Sequence, residues 1–155
     1  MRDNLLETAP AKATASGRIF VSTGPNSIAQ RQIASAFVAA GETTAATSFT
    51  NLATAGPTVS NITTGALALI SVQSQANNTN GGSSSRHSFD ISGATTSSAT
   101  PERGTLSQNS AGADTRYGIT TLQTLTAGVN NFISKYLVSS GTGHWQDREL
   151  IVIAL

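Results

Sequence analysis

Two histidines and eight carboxylate side chains are the chain's whole stock of acid–base groups for chemistry near neutral pH. The densest grouping is "SSRHSFD", where Ser85, His87 and Asp90 supply the residue types of a hydrolytic triad. A triad needs its base within hydrogen-bond reach of both the nucleophile and an orienting carboxylate. On a strand, His87 and Asp90 point to opposite faces and can share neither a relay nor a metal locally. No G-x-S-x-G elbow occurs. The simplest account is a surface strand carrying incidental polar residues. His144, in "GTGHWQDRE", follows a glycine turn, where it and Trp145 would cap one end of a sandwich. Glu102, Asp114, Asp147 and Glu149 are scattered among turns and strand ends, not paired as a glycosidase cleft requires. "STGPNS" lacks the G-K-[ST] ending of a phosphate loop, and no calcium-loop spacing appears. Cysteine is absent, which removes disulfides, thiolate metal sites and thiol chemistry. We therefore expect no catalytic residues, no metal and no cofactor, and read the chain as non-enzymatic.

Its elements must then present surfaces. At 155 residues the chain makes one domain's worth of core. Charged residues are only 11% and the net charge is +1, without the basic excess of nucleic-acid binders. No window approaches the ~18 apolar residues of a membrane-spanning helix. The start, "MRDNLLETAPAKATASG", lacks the apolar stretch of a secretory signal, so the "NIT" and "NNT" sequons are not expected to be glycosylated. Neither nucleic acid nor membrane is an expected partner.

Thr, Ser, Ala, Gly and Asn dominate, a composition suited to strands and turns. Residues 1 to about 16 read as an extended or weakly ordered arm without alternation. In "GRIFVSTGPNSIAQRQI" a short apolar run, a Gly24-Pro25-Asn26 turn and a second run around Ile28 predict a hairpin. Four basic residues, Arg2, Lys12, Arg18 and Arg31, face Asp3 and Glu7 over 1–33, leaving that arm at +2 and the remainder at −1. From Ile33 onward short strands follow at regular spacing: "IASAFVAAG", "TSFTNL", "PTVSNIT", "GALALISVQSQAN", "RHSFDISG" and "TLSQ". Three long strands finish the chain: "TRYGITTLQTL", "GVNNFISKYLVSS" and "WQDRELIVIAL". No helix longer than a turn is expected. The fold class is all-β, a jelly-roll or related sandwich of eight or so strands over 34–155, preceded by the arm and hairpin of 1–33.

The last strand carries the sharpest signal. "GVNNFISKYLVSS" sets Phe132, Tyr136 and Val138 on one face, and Val129, Asn131, Ile133, Lys135 and Leu137 on the other. "WQDRELIVIAL" alternates at first, but from Leu150 both faces are apolar. Alternation means one wet face; a continuous apolar run means both are covered. A second layer beyond the chain's own sandwich is most simply another copy of the chain. Leu150, Ile151, Val152, Ile153 and Leu155 are the expected inter-chain contacts.

"TLQTLTAGVNNFISKYLVSSGTGHWQDRELIVIAL" resembles the closing strands of tumour necrosis factor-like jelly rolls in tailed-phage virion proteins. The matching positions are Leu125, Thr126, Ala127, Gly128, Asn130, Phe132, Tyr136, Gly141 to Gly143, Trp145, Arg148, Leu150, Val152 and Leu155. "GRIFVSTGPNSIAQR" is similar to a segment of phage head and tail surface proteins. The resemblance implies strands over 65–76, 84–92, 103–109, 114–125, 129–138 and 145–155, and a homotrimer with the last strand at its three-fold axis. It implies a capsid decoration (cement or head-fibre) protein on the virion surface, made in the bacterial host cytoplasm. The partners would be the chain itself and a major capsid or other virion protein. The hairpin would dock through Arg18, Ile19, Phe20, Val21, Ile28 and Arg31. The alternative is a tail-associated trimer that binds a host-surface glycan. The loops at 77–85 and 93–104 contain none of the aromatic residues that usually platform a sugar, which favours decoration.

Overall fold

The computed structural model describes residues 15–155, and they form a sandwich of two antiparallel sheets. In chain order the strands are β1 (Arg18–Gly24), β2 (Ser27–Val38), β3 (Glu42–Thr44), β4 (Thr58–Thr64), β5 (Leu67–Asn78), β6 (Ser85–Gly93), β7 (Thr105–Ser107), β8 (Thr115–Thr124), β9 (Gly128–Val138) and β10 (Gly143–Ala154). One sheet runs β1-β2-β10-β5-β8, with β3 also pairing β10; the other runs β4-β9-β6-β7. Among the described residues the sole helical element is a 3-10 turn, Pro101–Arg103. None is long or apolar enough to cross a membrane. The jelly-roll class read from the sequence is the fold found, and six strands from β5 to β10 lie where they were expected.

Alternation builds the core. Even-numbered residues of β5, β9 and the end of β10 turn inward: Ile70 and Val72, Phe132, and Leu150 and Val152, all fully buried. They meet Val59, Ile62, Phe89 and Ile91 in the main apolar cluster, and Leu52, Ala76, Tyr136, Val138 and Trp145 form a second. Each large apolar side chain buried this way stabilises the fold by about 1.5–3 kcal/mol. The faces assigned to β9 from its sequence are the observed ones.

Two readings need correction. "TSFTNL" is not a strand; only Thr50 forms an isolated bridge, with Tyr136. This segment bonds β9 at Ala46–Val138, Thr50–Tyr136 and Pro57–Ser134, so it advances four and then seven residues for every two of β9. The slack turns the carbonyls of Thr54 and Gly56 toward Arg148, and a ladder cannot form. The hairpin is present as β1 and β2, but β2 runs unbroken through position 33. Its first half pairs β1 and its second half pairs β10 from Ile33 to Val38. The expected boundary between 33 and 34 thus lies inside one strand, and residues 1–14 of the expected arm fall outside the described ones.

Candidate assembly surface

A bulge in β10 organises the interior end of the site. Gln146 pairs Gln75 and Glu149 pairs Gln73, so Asp147 and Arg148 together oppose one residue, Ser74. Asp147 takes the left-handed conformation (φ 48°) that such an extra residue can require. The shift lets both Trp145 and Arg148 face inward, although a regular strand would send them to opposite sides. Arg148 is fully buried. Its guanidinium donates to the carbonyls of Thr54 (3.4 Å), Gly56 (3.4 Å) and Ala40 (3.3 Å) and pairs with Glu42 at 3.2 Å. It also sits 5.5 Å from the Tyr136 ring centroid. Hydrogen bonding from Thr54 and the charge of Arg148 hold the Glu42 carboxyl below its usual range. The clamp fixes the irregular segment 39–57 onto β10.

His87 belongs to the same interior, which corrects its reading as part of a surface strand. It is fully buried, with Nδ1 3.1 Å from the Ser74 hydroxyl and Nε2 2.9 Å from that of Ser134. Burial, reinforced by the Arg148 charge, lowers its pKa to about 3, so the ring is neutral. Burial also raises the Tyr136 phenol to about 12; its hydroxyl donates to the Gly56 carbonyl. A signal for His87 was available: it shares parity with Phe89 and Ile91 on β6. Asp90 points the other way, as expected, accepting from the Ala99 backbone and pairing with Lys135 at 3.3 Å. Ser85 is buried beside Asn78. His144 is half-buried against Gly41, and Trp145 is fully enclosed at the sandwich end. The arrangement holds Ser85, His87 and Asp90 in separate structural roles.

The opposite, outer face of the larger sheet is different. Residues across it line up in rows fixed by the register. Ile33, Ile153, Leu69 and Leu122 form one row across β2, β10, β5 and β8. On one side lie Leu155 and Leu67, joined by a backbone bond, with Arg31 donating to the Leu155 carbonyl. On the other side lie Ile151 and then Phe37, opposite Glu149. Phe37 and Leu122 are each 57% exposed and Ile33 is 40% exposed. The next row, Ser35–Ile151–Ser71–Thr120, is mostly polar and separates Phe37 from the first, so the apolar surface is a band roughly 15 Å long across four strands. An exposed apolar band rimmed by polar residues commonly marks an interaction site.

The expected assembly residues therefore separate. Leu150 and Val152 enter the chain's own core; Ile151, Ile153 and Leu155 lie on the outer face, with Ile33, Phe37, Leu67, Leu69 and Leu122, which the reading of the terminal strand did not include. Of the hairpin residues, Phe20 and Ile28 are well exposed, Arg18 is exposed, and Ile19, Val21 and Arg31 are half-buried.

Two antiparallel sheets packed face to face, with this strand order, define a jelly-roll β-sandwich. Solved structures share it. The infectious bursal disease virus Gx strain structure superposes with a TM-score of 0.53 at 13% identity, covering 86% of this chain and 36% of that one. The VP2 subviral particle of infectious bursal disease virus gives 0.53 at 14% identity, covering 86% and 36%. The T13 particle of the same virus gives 0.53 at 10%, covering 86% and 35%. The chain thus spans about a third of the length of these viral chains. No protein-family model and no curated protein sequence matches it.

Proposed function

We propose that this chain is a non-enzymatic structural protein of a virion, a trimeric decoration protein of a tailed-phage capsid. It self-associates through the outer face of the larger sheet and docks through the β1–β2 hairpin. The observation that carries the reading is the row Ile33–Ile153–Leu69–Leu122, an apolar line across four strands on a face that the described residues leave open. Burying several such side chains in each copy, at about 1.5–3 kcal/mol apiece when fully covered, offsets the cost of ordering them. A closed ring of copies covers every patch and leaves no open end to propagate. Support for the virion setting comes from the fold shared with the viral-particle structures and from the resemblance of the closing strands. The test is mass in solution and place in the virion. Light scattering should give a single trimeric species, and labelled protein should map to the capsid in virion images. A monodisperse monomer at micromolar concentration would sink the assembly reading.

A further inference from the structure

The ribbon made by β1 and the first half of β2 has two sides of unlike chemistry. Its register pairs Arg18 with Gln32, Ile19 with Arg31, Phe20 with Gln30, Val21 with Ala29 and Ser22 with Ile28. Ile19, Val21, Ala29 and Arg31 share the side of Ile33, and so continue the outer face of the sheet. Arg18, Phe20, Ser22 and Ile28 lie on the side of Ala34 and Ala36, which pack on the core. Pairing of β2 with β10 extends only as far as Ile33–Ile153. Before that point the core-side parity emerges from the sandwich, and Phe20 and Ile28 are left 47% and 46% exposed. They are diagonal neighbours on the ribbon, close enough to act as one apolar anchor. Arg18 is exposed beside them and forms no ion pair among the described residues. The sequence has no carboxylate between Glu7 and Glu42 to serve it locally.

We infer that this core-side face of the ribbon, Arg18 with Phe20 and Ile28, is the docking face, and that it fits an acidic protein surface with an apolar recess. The other side, with Ile19 and Val21, belongs to self-association. The inference rests on the docking role proposed above and divides the ribbon's residues between two partners. A guanidinium with no ion pair among the described residues, set beside an apolar pair, is complementary to a carboxylate at the rim of such a recess, where the planar fork can bond in two places.

The experiment uses the full chain and virus particles stripped of it. The variants are Phe20→Ser with Ile28→Ser, Arg18→Glu, and Ile19→Ser with Val21→Ser. The first pair should weaken rebinding by roughly tenfold or more while trimer mass stays unchanged. Arg18→Glu should weaken it too, most at low salt, and wild-type rebinding should fall as salt rises. Ile19→Ser with Val21→Ser should instead raise the concentration at which trimers dissociate, leaving rebinding per trimer within about twofold of wild type. Phe20→Leu should lose far less rebinding than Phe20→Ser, showing that the loss follows apolar area. If F20S/I28S trimers rebind as wild type does, the assignment of faces is wrong while the virion reading stands. If wild-type trimers do not rebind at all, both fall.

Discussion

His87 stacks on Tyr136 with ring centroids 4.7 Å apart and planes 25° from parallel, and beyond that phenol lies the Arg148 guanidinium. Both imidazole nitrogens are engaged by serine hydroxyls, so the neutral ring is fully satisfied where a charged one would be desolvated beside a cation.

Acid should therefore loosen the core. The folded His87 pKa, about 3, lies below its unfolded value of 6.5, so the unfolded chain binds the extra proton between those limits. Stability from this group is complete above pH 6.5 and is lost as pH falls toward 3. The slope approaches about 1.4 kcal/mol per pH unit for one such group. Glu42, whose carboxyl the Thr54 hydrogen bonds and the Arg148 charge hold below its ordinary range, adds to the loss at the lower end of the range. Melting temperature followed from pH 7 to 4 should fall for wild type and fall less steeply for His87→Gln.

Arg148→Ala should be among the most damaging single changes. It removes the cation from half-buried Glu42 and strands the carbonyls of Ala40 and Thr54, while Gly56 keeps the Tyr136 hydroxyl. Each carbonyl left without a partner costs about 1–3 kcal/mol, and the lost packing of the guanidinium on Tyr136 adds to it. Denaturant unfolding should register that loss, with proteolysis beginning within 39–57.

Asp147 tests the bulge that aims Arg148. Its φ of 48° suits glycine and penalises a branched side chain. Asp147→Gly should hold stability to within about 1 kcal/mol, since the Asp147–Arg116 pair it loses is exposed. Asp147→Val should cost about 1–2 kcal/mol or more. Equal melting temperatures for the two variants would contradict this account.

The two faces of β10 should separate folding from assembly. Val152→Asp places a charge in the fully buried core and should abolish folding. Ile153→Asp or Leu122→Asp, on the outer face, should yield a soluble monomer with the strand content of the parent. Circular dichroism with light scattering distinguishes the outcomes; an unfolded Leu122→Asp would show that the outer face supports the protomer itself.

Local information was sufficient for what repeats along a strand. Turn signals at regular spacing marked β5, β6 and β8, and period-two alternation gave the faces of β9 and of the first half of β10, because a pleated strand sends successive side chains to opposite faces whatever its neighbours are. The doubly apolar end of β10 could likewise be read directly, as could the Gly24-Pro25-Asn26 turn of the hairpin. What the strands meet was decided only in three dimensions. The phase shift at Asp147 depends on registers set by β5, and no residue type within "WQDREL" announces that Arg148 turns inward. Segment 46–57 has strand-like composition yet follows Arg148 rather than β9, since satisfying a buried guanidinium outweighs a few ladder bonds. The apolar row across β2, β10, β5 and β8 brings together residues from positions 33, 69, 122 and 153. Ile153 stands out in its doubly apolar strand end, but Ile33, Leu69 and Leu122 are unremarkable in theirs, and only the register of the folded sheet makes the four one surface.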